Sequence, residues 1–226
     1  MARLIHLFSG MALLLTAVVG PASAATLTVL MQQADGHPVA DAVVTLKGPA
    51  AAPAGILKAD MDQRGQRFAP HVLAVHTGTQ VRFPNSDNIR HQVYSFSAAK
   101  RFELRLYEGT PTDPLLFDKP GVVVLGCNIH DWMLGYIYVT DDPRFGVSDA
   151  QGQVRLEDLP PGDYHATLWH PQLADMQPLD GGTLHVPAAG LSHRVTLSLE
   201  PASEDLPPAP TAFGDAFNRA AHETAQ

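Results

Sequence analysis

Apolar residues recur at alternate positions over short stretches of this chain, and turn-forming residues separate the stretches. Phe102, Leu104 and Leu106 alternate with Glu103 and Arg105, the period of two that marks a half-buried strand. Similar short runs fall at residues 26–31, 42–46, 68–76, 81–83, 92–96, 122–125 and 136–139. Beyond them come 164–169, 182–186 and 193–199. Gly, Pro, Asn and Asp punctuate the intervals, as in Asp35-Gly36-His37-Pro38 and Phe117-Asp118-Lys119-Pro120-Gly121. No interval between the runs carries the 3.6-residue period of a helix. Many short strands joined by turns predict an all-β protein, a sandwich or Greek-key barrel.

Changes in composition divide the chain. Residues 1–24 read as a secretory signal peptide. Arg3 supplies the positive end, an apolar run follows, and Ala22-Ser23-Ala24 forms the A-x-A cleavage site. Residues 25–140 form the first expected domain, with an N-terminal hairpin over 25–57 and a core over 66–140. Asp141-Asp142-Pro143 marks a boundary, and 141–200 form a second small β module. Residues 201–226 read as a Pro-rich linker and tail.

The formal net charge is -8, and no basic stretch interrupts it. Phosphate backbones need cationic surfaces, so nucleic acid is excluded as a partner. Once the signal is cleaved no membrane span remains, and the mature protein is expected outside the cytoplasm, in a bacterial periplasm. Export makes the one cysteine, Cys127, informative. In an oxidising compartment an unpaired thiol is reactive, bridges to another chain, or binds a metal.

Cys127 opens the sequence Cys127-Asn128-Ile129-His130-Asp131-Trp132-Met133, which places a thiol, an imidazole and a thioether at C-x2-H-x2-M spacing. The apolar runs 122–125 and 136–139 lead in and out, so the three ligands are expected on one loop between two strands. Thiolate, imidazole and a distant thioether make a copper ligand set that lacks one histidine. Zinc also accepts thiolate and imidazole, but thioether is not among its usual ligands. His71 and His76 are five apart in a strand, as are His165 and His170. An odd separation points each pair to opposite faces. His91 differs, because it follows the polar loop 85–90 and opens a strand. Met61 is a rival sulfur, but it lies in Asp60-Met61-Asp62, which reads as a polar turn.

At this point the chain resembles the cupredoxins, over about residues 68–140. The resemblance rests on Phe68-x-Pro70, on Gly78-Thr79-x-Val81-x-Phe83-x-Asn85 running into His91, and on Phe117-x-x-Pro120-Gly121 ahead of Cys127. The closing C-x2-H-x2-M loop is most similar to that of amicyanins. The resemblance implies a Greek-key sandwich holding one copper ion, with His91, Cys127 and His130 as strong ligands and Met133 as the weak axial one. Asn85 and Asn128 are expected to support the loop or the sulfur by hydrogen bonds. The second module, from Asp149-x-x-Gly152 to Leu159-Pro160-x-Gly162-x-Tyr164, is similar to regulatory-like β-sandwich domains found after carboxypeptidases.

No G-x-S-x-G, H-E-x-x-H or Gly-rich phosphate loop occurs. The expected work is therefore single-electron transfer between redox partner proteins rather than enzymatic catalysis, with Ile129, His130 and Trp132 as the docking patch. Two other readings stay open: a copper-binding or delivery protein, and a structural β-sandwich with an incidental metal site.

Overall fold

The computed structural model describes residues 24–111 and 113–201. The signal-peptide and tail expectations fall almost wholly outside them. The described residues are all-β apart from one short 3-10 turn at Ala174–Met176. In chain order the strands are β1 (Ala25–Gln32), β2 (Val43–Lys47), β3 (Lys58–Asp60), β4 (Asp62–Gln63), β5 (Phe68–Ala69), β6 (Val72–His76), β7 (Thr79–Arg82), β8 (His91–Ser95) and β9 (Phe102–Tyr107). They continue with β10 (Leu115–Phe117), β11 (Gly121–Cys127), β12 (His130–Thr140), β13 (Arg144–Val147), β14 (Gln153–Leu159), β15 (Gly162–Trp169), β16 (Leu179–Val186) and β17 (Leu191–Thr196).

Strand pairing divides the chain differently from its composition. A three-stranded sheet runs β14-β1-β17 and a four-stranded sheet runs β13-β2-β15-β16. Residues 25–47 therefore belong with 144–196, not with the segment that follows them. Nor do β1 and β2 form a hairpin. β1 lies antiparallel to β14 and parallel to β17, and β2 is antiparallel to both β13 and β15. Leu27, Val29 and Met31 of β1, with Leu156 of the adjoining β14, share one buried cluster with Leu46, Tyr164 and Val186 of the other sheet. A strand whose alternate residues are apolar is stable wherever that face can be covered. Here β2 supplies one strand of the covering sheet, and β13, β15 and β16 come from the far end of the described chain.

Between β2 and β13 the chain builds a second sandwich. One sheet runs β10-β7-β3 and the other β6-β12-β11-β8-β9. Val81, Phe83, Phe117, Val123, Leu125 and Ile137 fill the space between them. The two modules meet through a third cluster, in which Val43 and Trp169 pack on Val72, Tyr136 and Tyr138. This explains two uninterrupted apolar runs. β2 and the end of β12 are each buried on both faces, one face in their own module and the other at the junction.

Candidate metal centre

β11 and β12 form a tight antiparallel hairpin in which Cys127 pairs with His130. Only Asn128 and Ile129 make the turn. The expected loop is thus shorter: Cys127 ends β11, His130 opens β12, and Met133 lies within that strand. The ladder shifts register between Gly126 and Cys127. A bulge of this kind re-aims the side chains beside it. Gly126 lets the two strands approach, because a Cβ there would come within 2.7 Å of the Tyr94 ring and push it aside.

β8 brings His91 to the same end of the sandwich, through a bridge between Tyr94 and Gly126. His91 is fully buried and Cys127 is 2% exposed. His91 Nδ1 lies 3.9 Å and His130 Nδ1 3.7 Å from Cys127 Sγ. The three ligand atoms all fall within 4.8 Å of one another. An ion bound at about 2.0–2.3 Å from each would separate them by about 3.6 Å. The sulfur and both nitrogens are therefore spaced as ligands of one ion, and the site fits a thiolate- and imidazole-loving metal.

Around the ligands, polar groups hold the frame. His91 Nε2–H donates to Asp87 Oδ2 at 2.8 Å. Asp87 in turn accepts from the backbone N–H of Gly65 (2.6 Å) and Gln66 (2.9 Å). Burial works against the charge on Asp87, but the bonds from Gln66, Gly65 and His91 outweigh it and hold the carboxyl below its usual range. Asn85, expected as a supporting residue, does fix the loop. Its amide donates to the carbonyls of Ile89 (2.8 Å) and Tyr107 (3.0 Å), and its Oδ1 accepts from Asp87 N–H at 3.0 Å. Asn128 is exposed on the turn, which leaves it poorly placed for the buried sulfur. Burial, and then the neighbouring His91, hold the His130 pKa below the ordinary histidine value. An imidazole in that setting offers a free lone pair near neutrality.

Met133 is 1% exposed and packs in the cluster that contains Cys127. Met61 does too, and is fully buried. This corrects the reading of residues 60–62 as a polar turn: Asp60 is tied outward to Arg82 at 2.6 Å, while Met61 points into the core. Ile129 is 48% exposed. Trp132 lies beside His130, with ring centroids 5.2 Å apart. It also lines a cleft of about 280 Å³ with Asp41, Arg67, Phe68, His71 and Met133. Asp41 precedes β2, so that cleft lies at the junction of the modules. Asp87 is the residue that sequence reading missed. Its place four residues before His91 was the available signal.

No family model matches the chain, and no curated protein matches it. Among solved structures it is similar to a purple cupredoxin from Nitrosopumilus maritimus, at 21% identity and TM-score 0.33 over 36% of this chain and 99% of that one. It is also similar to a copper-containing nitrite reductase from Thermus scotoductus, at 25% identity and TM-score 0.36 over 50% of this chain and 28% of that one. A mutant amicyanin in its oxidised state matches at 20% identity and TM-score 0.33 over 43% of this chain and 98% of its own. At such TM-scores the case for a metal centre rests on the ligand geometry itself.

Proposed function

We propose that the protein binds one copper ion through His91, Cys127 and His130, with Met133 as a weak axial ligand, and carries single electrons between redox partner proteins. One observation carries this reading. A buried thiol and an imidazole on one hairpin, and a second imidazole from a strand thirty-six residues upstream, converge, with the two ring nitrogens 3.7 and 3.9 Å from the sulfur. Thiolate and imidazole serve both Cu(I) and Cu(II), and the ion supplies a one-electron couple. The chain supplies rigidity: two ligands are clamped by a short hairpin, and the third is seated in the core. A frame that moves little between oxidation states keeps reorganisation small.

Partners dock where His130 nears the surface, beside the half-exposed Ile129 and Trp132. The composite module, 25–47 with 144–196, is a regulatory-like β-sandwich that braces this frame, and the protein works in the periplasm after signal cleavage. Among the described residues no helix is long and apolar enough to cross a membrane.

Adding Cu(II) to the purified protein tests the reading. An intense thiolate-to-copper absorption band is expected, reversibly bleached by ascorbate and abolished in Cys127→Ser. A protein that binds copper without that band is a metal carrier, and one that binds none has no such site. Either result overturns the electron-carrier reading.

A further inference from the structure

We infer that Asp87 is a positioning residue for the metal centre: it fixes the tautomer of His91 that presents Nδ1 to the ion, and its charge lowers the reduction potential of the site. The inference rests on the copper reading above only in its second half. The first half concerns the protein with or without metal.

The geometry runs as a chain of three fixed groups. His91 is fully buried and Asp87 is 13% exposed, so neither is free to reorient through solvent. An ionised carboxylate only accepts hydrogen bonds. At 2.8 Å, Asp87 Oδ2 therefore requires the proton on Nε2 of His91. In the neutral imidazole, the form that can ligate, this leaves the lone pair on Nδ1, the nitrogen turned toward Cys127 Sγ at 3.9 Å. A ligating imidazole needs its lone pair there, and the partner of its other nitrogen decides which tautomer it holds.

Asp87 is itself gripped from the opposite side. The turn between β4 and β5 has Gly65 and Gln66 in succession at φ +62° and +58°. Their N–H groups converge on the two carboxylate oxygens. Successive backbone N–H groups in such a turn form a concave anion seat. Ser86 N–H donates to Gln63 O at 2.9 Å and Ser86 Oγ–H to Asp62 at 2.8 Å, stitching the Asp87 loop to the same hairpin. A glutamine in the left-handed region is an unfavourable backbone choice. Holding the carboxylate gives it a reason. A fixed negative charge one residue away from the ion favours the more positive oxidation state, hence the lower potential.

Two variants and two readouts test this. In the metal-free protein near neutral pH, long-range ¹H–¹⁵N NMR of His91 should report the Nε2–H tautomer. Asp87→Ala should populate the other tautomer and weaken Cu(I) affinity by about 10–100-fold. Asp87→Asn keeps an acceptor but not the charge. It should keep the tautomer and the absorption band while raising the reduction potential. If Asp87→Ala leaves the His91 tautomer unchanged, or Asp87→Asn leaves the potential at the wild-type value, the inference is overturned. If the wild-type protein fails to bind copper, the electron-carrier reading falls, and the tautomer measurement still decides the role of Asp87.

Discussion

The two modules are built alike and use their buried polar groups differently. Each is a pair of small sheets over an apolar core. In the composite module the buried polar residues complete the scaffold. Ser148 Oγ–H donates to Val39 O at 2.7 Å and accepts from Ala42 N–H at 2.9 Å, Thr45 bonds to Asp142, and His170 Nδ1 accepts from Gln172 N–H at 3.1 Å. In the inserted module, Asn85 and Asp87 complete the scaffold, while His91 Nδ1 and Cys127 Sγ face each other at a distance too long for a strong bond. Single unpaired buried atoms also occur elsewhere, at Gln63, His71, His76, Trp132 and Arg144, so it is the convergence of a thiol and two imidazoles on one point that suggests a ligand. The same architecture thus carries the candidate site in one module and none of its residues in the other.

That contrast can be broken at the junction. Trp169→Ala removes a fully buried side chain that packs on Tyr136 and Tyr138 with ring centroids 5.9 and 5.3 Å away. The expected loss is about 3–5 kcal/mol. Calorimetry should then resolve separate transitions for the two modules, while the copper band persists. A smaller effect confined to the inserted module is expected from Asn85→Ala. It strands the carbonyls of Ile89 and Tyr107 and costs about 1–3 kcal/mol by urea denaturation. Metal affinity should fall with it, unlike in Trp169→Ala.

The mildest test uses alkali. Burial pushes the Tyr107 pKa up to about 12, and its hydroxyl donates to Phe83 O at 2.8 Å. A group whose folded pKa is raised contributes stability that is fully present below its unfolded value, about 10. That contribution should disappear as pH rises from about 10 toward 12. Tyr107→Phe should lack this component when the stabilities of the two proteins are compared across the range.

The clustering of the candidate residues was legible because they carry local signals. C-x2-H-x2-M lies on one hairpin, and His91 follows a polar loop with a recognisable pattern. Other features depend on partners that no local pattern names. β1 reads as a strand, but nothing in residues 26–31 says that the strands it pairs with, β14 and β17, are more than a hundred residues away. Asp87 was visible four residues from His91, yet its role depends on the hairpin tip at 65–66. Met61 was misread because Asp60 and Asp62 flank it. Both carboxylates pair with exposed arginines while the sulfur turns in. His130–Leu134 mixes polar and apolar residues, and pairing with β11 rather than periodicity makes the first part of that segment a strand.

The pairing of β1 also sets an order of assembly. Its partners β14 and β17 are among the last strands to be made, so during synthesis β1 waits with both edges open. The inserted sandwich is complete by Thr140 and needs neither of those strands for its own core. It can therefore form while the first strands are still unclaimed, and it brings their exit point and the start of β13 together. Unpaired edges are sites of wrong association. The inserted sandwich would then act as the template on which the older and younger ends of the chain find each other.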